Sequence, residues 1–367
     1  MTPQPSAECA LLLRGLREPL QIGGPQWDRV LRLARMTGLH GRLAAANLDS
    51  PALPDAVRRH LLSAARMSAF SARMLDAEIR AVAPLCTAEF PVIALKGGAY
   101  ALQGLAFAHG RFVSDIDLLV PAAALRTMEH ALQRAGWAAA RLDPYDERYY
   151  RDWSHETPPM RFPGHVLELD LHHAITPVTG RLHFDPAPLF EASVAVPGSP
   201  FRVLAPEDQL LHACVHCFQD GDLALRLREI ADIDGLLHSF AERPGFWPRL
   251  GERAHQLGLG HALWFGLHYA RAWTHAPVPA DVLASLPAPT GPAAWLMAHC
   301  TPLAMLPSDP DHPPSFAVRL ARLAMLARYH LRRMPPHLLL PHLTRKAMLR
   351  LRARHGRGEG ENDEGQP

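Results

Sequence analysis

PVIALKGGAYALQGLAFAHGRFVSDIDLLV, residues 91–120, decides how the rest of the chain is read. Residues 92–95 form a short apolar run, the pattern of a buried strand. The run meets Lys96-Gly97-Gly98, and residues 99–103 then favour helix. A second turn at His109-Gly110 leads into residues 111–120, which alternate as far as Asp117 and then become wholly apolar. In a strand, side chains two apart share a face, so Asp115 and Asp117 point the same way. Two adjacent carboxylates repel each other unless a cation lies between them. Mg²⁺ suits such a pair, because it takes one or two carboxylates together with substrate phosphates. Glycines at a helix start let backbone N–H groups approach an anion unobstructed. Glycine turn, helix and Asp-x-Asp strand together outline a metal–triphosphate site.

These residues resemble the DNA-polymerase-β-like nucleotidyltransferases. The nearest pattern is that of a bacterial nucleotidyltransferase family still described as uncharacterised. The resemblance rests on Leu95-Lys96-Gly97, Arg111 and residues 115–120, Asp-Ile-Asp-Leu-Leu-Val. The spacing from Gly98 to Asp115 is longer than in minimal members of the superfamily and requires an extended helix or an added loop. The resemblance implies an α+β fold: a small mixed sheet with helices, flanked by N-terminal helices and a C-terminal helical domain. It also implies Mg²⁺ (or Mn²⁺) as cofactor and an NTP as substrate.

Further along, residues 165–172 (HVLELDLH) alternate cleanly. Glu168, Asp170 and His172 share one face, while Leu167, Leu169 and Leu171 take the other. The superfamily carries its third carboxylate on such a strand, and the family's Asp-Leu-His pattern matches Asp170. Spacing alone also admits Glu168. The expected site is therefore Asp115, Asp117 and Asp170 as metal ligands and catalytic carboxylates. Lys96, Gly97, Gly98 and Arg111 are expected on the nucleotide phosphates. Lys96 is one of only two lysines, against a background of arginine.

The chain has 367 residues, 48% hydrophobic and 20% charged, a globular composition with room for two or three domains. Five cysteines without framework spacing argue against a disulfide scaffold. The sequence has no apolar run of membrane-spanning length and no basic-then-apolar leader, so a cytoplasmic location is expected. Residues 1–88 read as helical, with a long uninterrupted pattern at 56–83 stopped by Pro84. The expected catalytic core is 89–200. A C-terminal helical domain is expected at 201–315, a basic helical tail at 316–357 and a disordered acidic end at 358–367. Within the core, residues 121–135 read as a helix ended by Gly136, and 137–142 as a possible strand.

Residues 143–163 carry Tyr145, Tyr149, Tyr150, Trp153, His155 and Glu156, either as a loop over the site that stacks a base or as ordinary surface packing. His212 and His216 fall one helical turn apart and could bind a metal, but soft residues packed on a helix are the commoner explanation. Residues 316–357 hold eleven Lys/Arg and no Asp/Glu, whereas residues 1–315 hold 27 basic and 32 acidic side chains. The tail can be a solvated helix face, or it can contact an anionic membrane, RNA or an acidic partner. No DNA contact is expected.

The expected reaction is transfer of an NMP from NTP to a hydroxyl or similar nucleophile, releasing pyrophosphate. The acceptor, a small molecule, a peptide or a protein, is left open. The rival expectation is a non-catalytic nucleotide-binding or regulatory adaptor. The presence of all three carboxylates weighs against it.

Overall fold

The computed structural model describes residues 3–348 except 141–142, 144–146, 148–149, 151–153, 177, 181, 183, 219–222, 224–225, 335–336, 338, 342 and 346–347. Tyr145, Tyr149 and Trp153 lie outside the described residues, as does the acidic end at 358–367.

Four helices come first: α1 (Ala7–Gly15), α2 (Gly24–Met36), α3 (His40–Asn47) and α4 (Asp55–Val82). The Ser6 side chain accepts from the Cys9 N–H and caps α1. No Gly or Pro interrupts the 28 residues of α4, and Pro84 follows in a short 3₁₀ turn.

The sheet has seven strands, β1 (Ile93–Ala94), β2 (Asp115–Leu119), β3 (Ala138–Ala139), β4 (Met160–Arg161), β5 (Glu168–His172), β6 (Val194–Ala195) and β7 (Arg202–Val203). Their order is β3-β4-β5-β2-β1-β7-β6. β2 runs antiparallel to β1 and parallel to β5, so the sheet is mixed, as the α+β reading requires. Between the strands come α5 (Lys96–Leu102), α6 (Leu125–Ala135) and α7 (Ala187–Glu191). The αL residue Gly136, at φ +108, ends α6.

Two local expectations shift. The strand expected from Arg111 begins only at Asp115, because residues 111–114 are tied to α4 rather than to a strand. Ser71 Oγ of α4 accepts from Val113 N and donates to Val113 O. The strand expected over 137–142 is paired only at Ala138–Ala139, and residues 141–142 are undescribed. Beyond Thr176 the chain adds α7 and the β6–β7 pair, whose two-residue strands are too short to leave an alternation in the sequence.

After the sheet the chain is helical: α8 (Pro206–Phe218), α9 (Leu227–Phe240), α10 (Phe246–Gln256), α11 (Gly260–Thr274), α12 (Ala280–Ser285), α13 (Gly291–Met305) and α14 (Phe316–Arg333). α8 is buried on all sides, from Glu207 to Phe218 apart from His216, with α9, α10 and α11 packed around it. Among the described residues no helix is long and apolar enough to cross a membrane.

The apolar half of β2 anchors the site. Ile116, Leu118, Leu119 and Val120 are fully buried, at about 1.5–3 kcal/mol each. Charged carboxylates within 4.8 Å of one another repel by roughly 3 kcal/mol or more per pair at an effective dielectric near 20. Core burial therefore holds the acidic strand in place against its own repulsion.

Candidate active site

β2 and β5 lie side by side in parallel register, with Asp115 opposite Glu168 and Asp117 opposite Asp170. Asp115, Asp117 and Asp170 each offer a carboxylate oxygen, and these atoms all lie within 4.8 Å of one another. Glu168 does not join them. Its Oε1 is 2.7 Å from Arg161 Nη2, on the exposed side. Of the two acids that spacing left open, Asp170 is the one whose carboxylate stands with Asp115 and Asp117.

Asp117 is 4% exposed and carries two cationic neighbours. Lys96 Nζ and His172 Nε2 both lie 3.0 Å from its Oδ1. Burial alone would raise this carboxyl, but Lys96 and His172 outweigh it and hold it well below the usual carboxylate range. Asp170 has the opposite balance. Burial, with Asp117 close by, pushes it up to about 7. Its Oδ1 is buried without a hydrogen-bond partner. Three oxygen donors, one orphaned and short of positive charge, fit a hard divalent cation.

α5 opens directly from β1, and the two glycines are its first turn rather than a loop before it. Lys96 sits at φ +44, a left-handed conformation unfavourable for a side-chain-bearing residue. That conformation accompanies a side chain directed at Asp117. Gly97 has a packing reason to lack a side chain. A Cβ there would come 2.5 Å from Arg111 Nη1 and 3.1 Å from Val113 Cγ2. Gly98 has ordinary room, with Ile116 and Ala94 at 3.8 and 3.9 Å.

Arg111 reaches the same cleft but is already engaged. Its Nε donates to Asp232 Oδ2 at 3.0 Å, and the buried Arg42 approaches the other oxygen of Asp232 at 3.3 Å. Before Arg111 the chain crosses the N-terminal helices. Gly110, at φ +78, passes so close to Gly41 that a Cβ would lie 2.3 Å from the Gly41 oxygen. The N-terminal layer therefore sets where Arg111 begins.

Lys96, Asp115, Asp117 and Arg111 line one cleft with His216 of α8 and Arg228 of α9. Neither His216 nor Arg228 was among the expected site residues. In the sequence His216 stands out only beside His212, as a candidate metal pair, and Arg228 carries no assigned role. His216 Nδ1 lies 3.3 Å from Glu229 Oε2, and its ring centroid is 6.4 Å from that of buried His212. Among the described residues neither histidine belongs to a metal-spaced cluster.

The fold and site together define a class: a mixed-sheet protein with three convergent carboxylates, two of which line a cleft shared with Lys96, Arg111 and Arg228. The chain belongs to the family described as uncharacterised nucleotidyltransferase, whose model matches residues 23–275. No curated protein matches it in sequence. The crystal structure of JHP933 from Helicobacter pylori is similar over 72% of this chain and 93% of that one. That likeness, at 10% identity and a TM-score of 0.32, is too slight to build on.

Proposed function

We propose that this protein transfers a nucleoside monophosphate from an NTP to a hydroxyl or similar nucleophile of a small molecule, peptide or protein. The observation that carries the reading is the convergence of Asp115, Asp117 and Asp170 within 4.8 Å, with Asp115 and Asp117 lining one cleft with Lys96 and Arg111. Mg²⁺ or Mn²⁺ held by these three carboxylates would add charge stabilisation for the phosphates and Lewis-acid activation.

The chain's own residues divide the remaining work. Lys96, the first-turn N–H groups of Gly97 and Gly98, and Arg111 bind the triphosphate and orient it in the cleft. Asp170, nearly neutral-poised at about 7, accepts the proton of the acceptor hydroxyl. The freed oxygen attacks the α-phosphorus, the bond to the α–β bridging oxygen breaks, and pyrophosphate leaves with that electron pair. His172 holds Asp117 in place through its 3.0 Å contact.

We take the basic segment 316–357 as a contact surface for an anionic partner; its residues 349–357 lie outside those described. Phe316, Leu320 and Leu323 of α14 are all more than half exposed there.

The test is incubation with Mg²⁺ and each α-labelled NTP, beside an Asp115→Ala/Asp117→Ala control. Label on protein or added acceptor with the wild type alone supports the reading. NTP binding that needs both aspartates, without turnover on any acceptor, supports the nucleotide-binding adaptor instead. No NTP binding overturns both.

A further inference from the structure

A second cluster lies directly behind the carboxylates. His155, Glu156 and His172 each offer one ligand atom, and all three atoms fall within 4.8 Å of one another. Glu156 and His172 form an antiparallel bridge. The flanking bonds run from Thr157 N to the Leu171 oxygen and from His173 N to the His155 oxygen. That pattern makes Glu156 and His172 a non-hydrogen-bonded pair, the arrangement in which opposed side chains stand closest. Backbone register, rather than chance rotamers, therefore sets the two groups against each other. His155 and His172 are 4% and 3% exposed, so both imidazoles are held by packing.

The distances fit a cation rather than direct bonds. Glu156 Oε2 is 3.6 Å from His172 Nδ1 and 4.0 Å from His155 Nε2. Both exceed hydrogen-bond length. Donors about 2.0–2.2 Å from a tetrahedral Zn²⁺ lie roughly 3.3 Å from one another. The two Glu156 separations, 3.6 and 4.0 Å, close to that spacing with a contraction of about half an ångström, and the third separation lies within 4.8 Å. The other face of His172 supplies the accompanying contact. Its Nε2 lies 3.0 Å from Asp117 Oδ1, so a neutral His172 donating there presents its Nδ1 lone pair to the cluster. A metal-ligating histidine commonly donates its second nitrogen to a carboxylate in this way.

We propose that His155, Glu156 and His172 form a second metal site, for Zn²⁺ or a similar borderline transition-metal cation, distinct from the aspartate site. Two imidazoles and one carboxylate select such an ion over Mg²⁺, which prefers all-oxygen ligands. Glu156 is the most exposed of the three groups, with its side chain 23% exposed, so solvent completes the coordination on that side. The ion pins the segment around residue 156 to β5 and fixes the orientation of His172. It thereby positions Asp117 without touching substrate.

The test uses tag-free full-length protein freed of metal and titrated with Co²⁺ in excess Mg²⁺, which occupies the all-oxygen site. The expected result is one saturable equivalent with visible d–d absorption bands, competed away by Zn²⁺. Glu156→Gln and His155→Ala each weaken it at least tenfold, while Asp115→Asn leaves it unchanged. Dissociation constants above about 10 μM for the wild type overturn the proposal. So does equal affinity in both cluster variants, or a loss of Co²⁺ binding in Asp115→Asn to match theirs. Because the readout is metal absorption, it stands or falls independently of nucleotidyl transfer.

Discussion

Lys96 Nζ lies 3.0 Å from Asp117 Oδ1, so the lysine at the helix start is paired with a carboxylate of the candidate metal site. A cation there does two things at once. It stabilises the buried Asp117 charge, and it competes with any divalent ion for the same oxygen.

Lys96→Met separates these effects. Nucleotide affinity should fall by about tenfold or more, equivalent to roughly 1.4 kcal/mol, through the lost phosphate contact. Divalent-cation affinity in the absence of nucleotide should rise, because Asp117 loses its competitor. Calorimetric titration of each ligand checks both. A drop in both affinities would show that Lys96 only props the site.

Asp170→Asn should reduce label transfer by at least ~100-fold, the usual scale for a lost general base. The same change removes one of three repelling carboxyls, so the metal-free protein at pH 8 should melt at a higher temperature than wild type. Glu168→Gln, outside the cluster and paired with Arg161, should leave transfer within a few-fold of wild type. Loss of transfer in Glu168→Gln with retention in Asp170→Asn would reverse the assignment.

The pH dependence of the metal-free protein follows from Asp170 and His172. An acid held above its ordinary value binds its proton more tightly in the folded chain. Asp170 therefore contributes stability that is complete below the ordinary carboxylate range and lost as pH rises through about 7. Burial disfavours charge on His172, but Asp117 and Glu156 outweigh it and raise its pKa. Its contribution is likewise complete in acid and lost as pH rises. Asp117, held low, acts in the opposite sense only below the ordinary carboxylate range. Between pH 5 and pH 8 the melting temperature of the wild type in chelator should fall relative to that of Asp170→Asn, because His40, His173, His212 and His268, held low by burial in both proteins, act in the opposite sense. Saturating Mg²⁺ should offset that fall, since metal affinity grows as Asp170 deprotonates. Parallel melting curves with and without metal would refute it.

Gly97→Ala and Gly98→Ala should part company. The first drives a methyl into Arg111 Nη1 and Val113, disturbing the Arg111–Asp232 pair. A cost of about 1–3 kcal/mol is expected. Gly98→Ala meets only ordinary contacts inside a helix and should be neutral or up to about 1 kcal/mol stabilising. Denaturant unfolding of both variants decides it.

The sequence by itself determined the acidic strands and their facing. A period of two puts Asp115 with Asp117, and Glu168 with Asp170, whatever surrounds them. It also determined the long α4, because twenty-eight residues without Gly or Pro leave no other regular structure open. Family resemblance added the pairing of these strands into one site. Tertiary structure alone brought the carboxylate of Asp170 beside Asp115 and Asp117 while pairing Glu168 with Arg161, a difference that two acids on one face do not show in sequence. It decided that Arg111 is shared with Asp232 of α9, 121 residues away, and that His216 and Arg228 reach the same cleft. It also set Glu156 against His172 across a bridge between residues sixteen positions apart. The reason is physical: periodicity fixes which way a side chain points within its own element, whereas distances between elements depend on packing that no local pattern encodes.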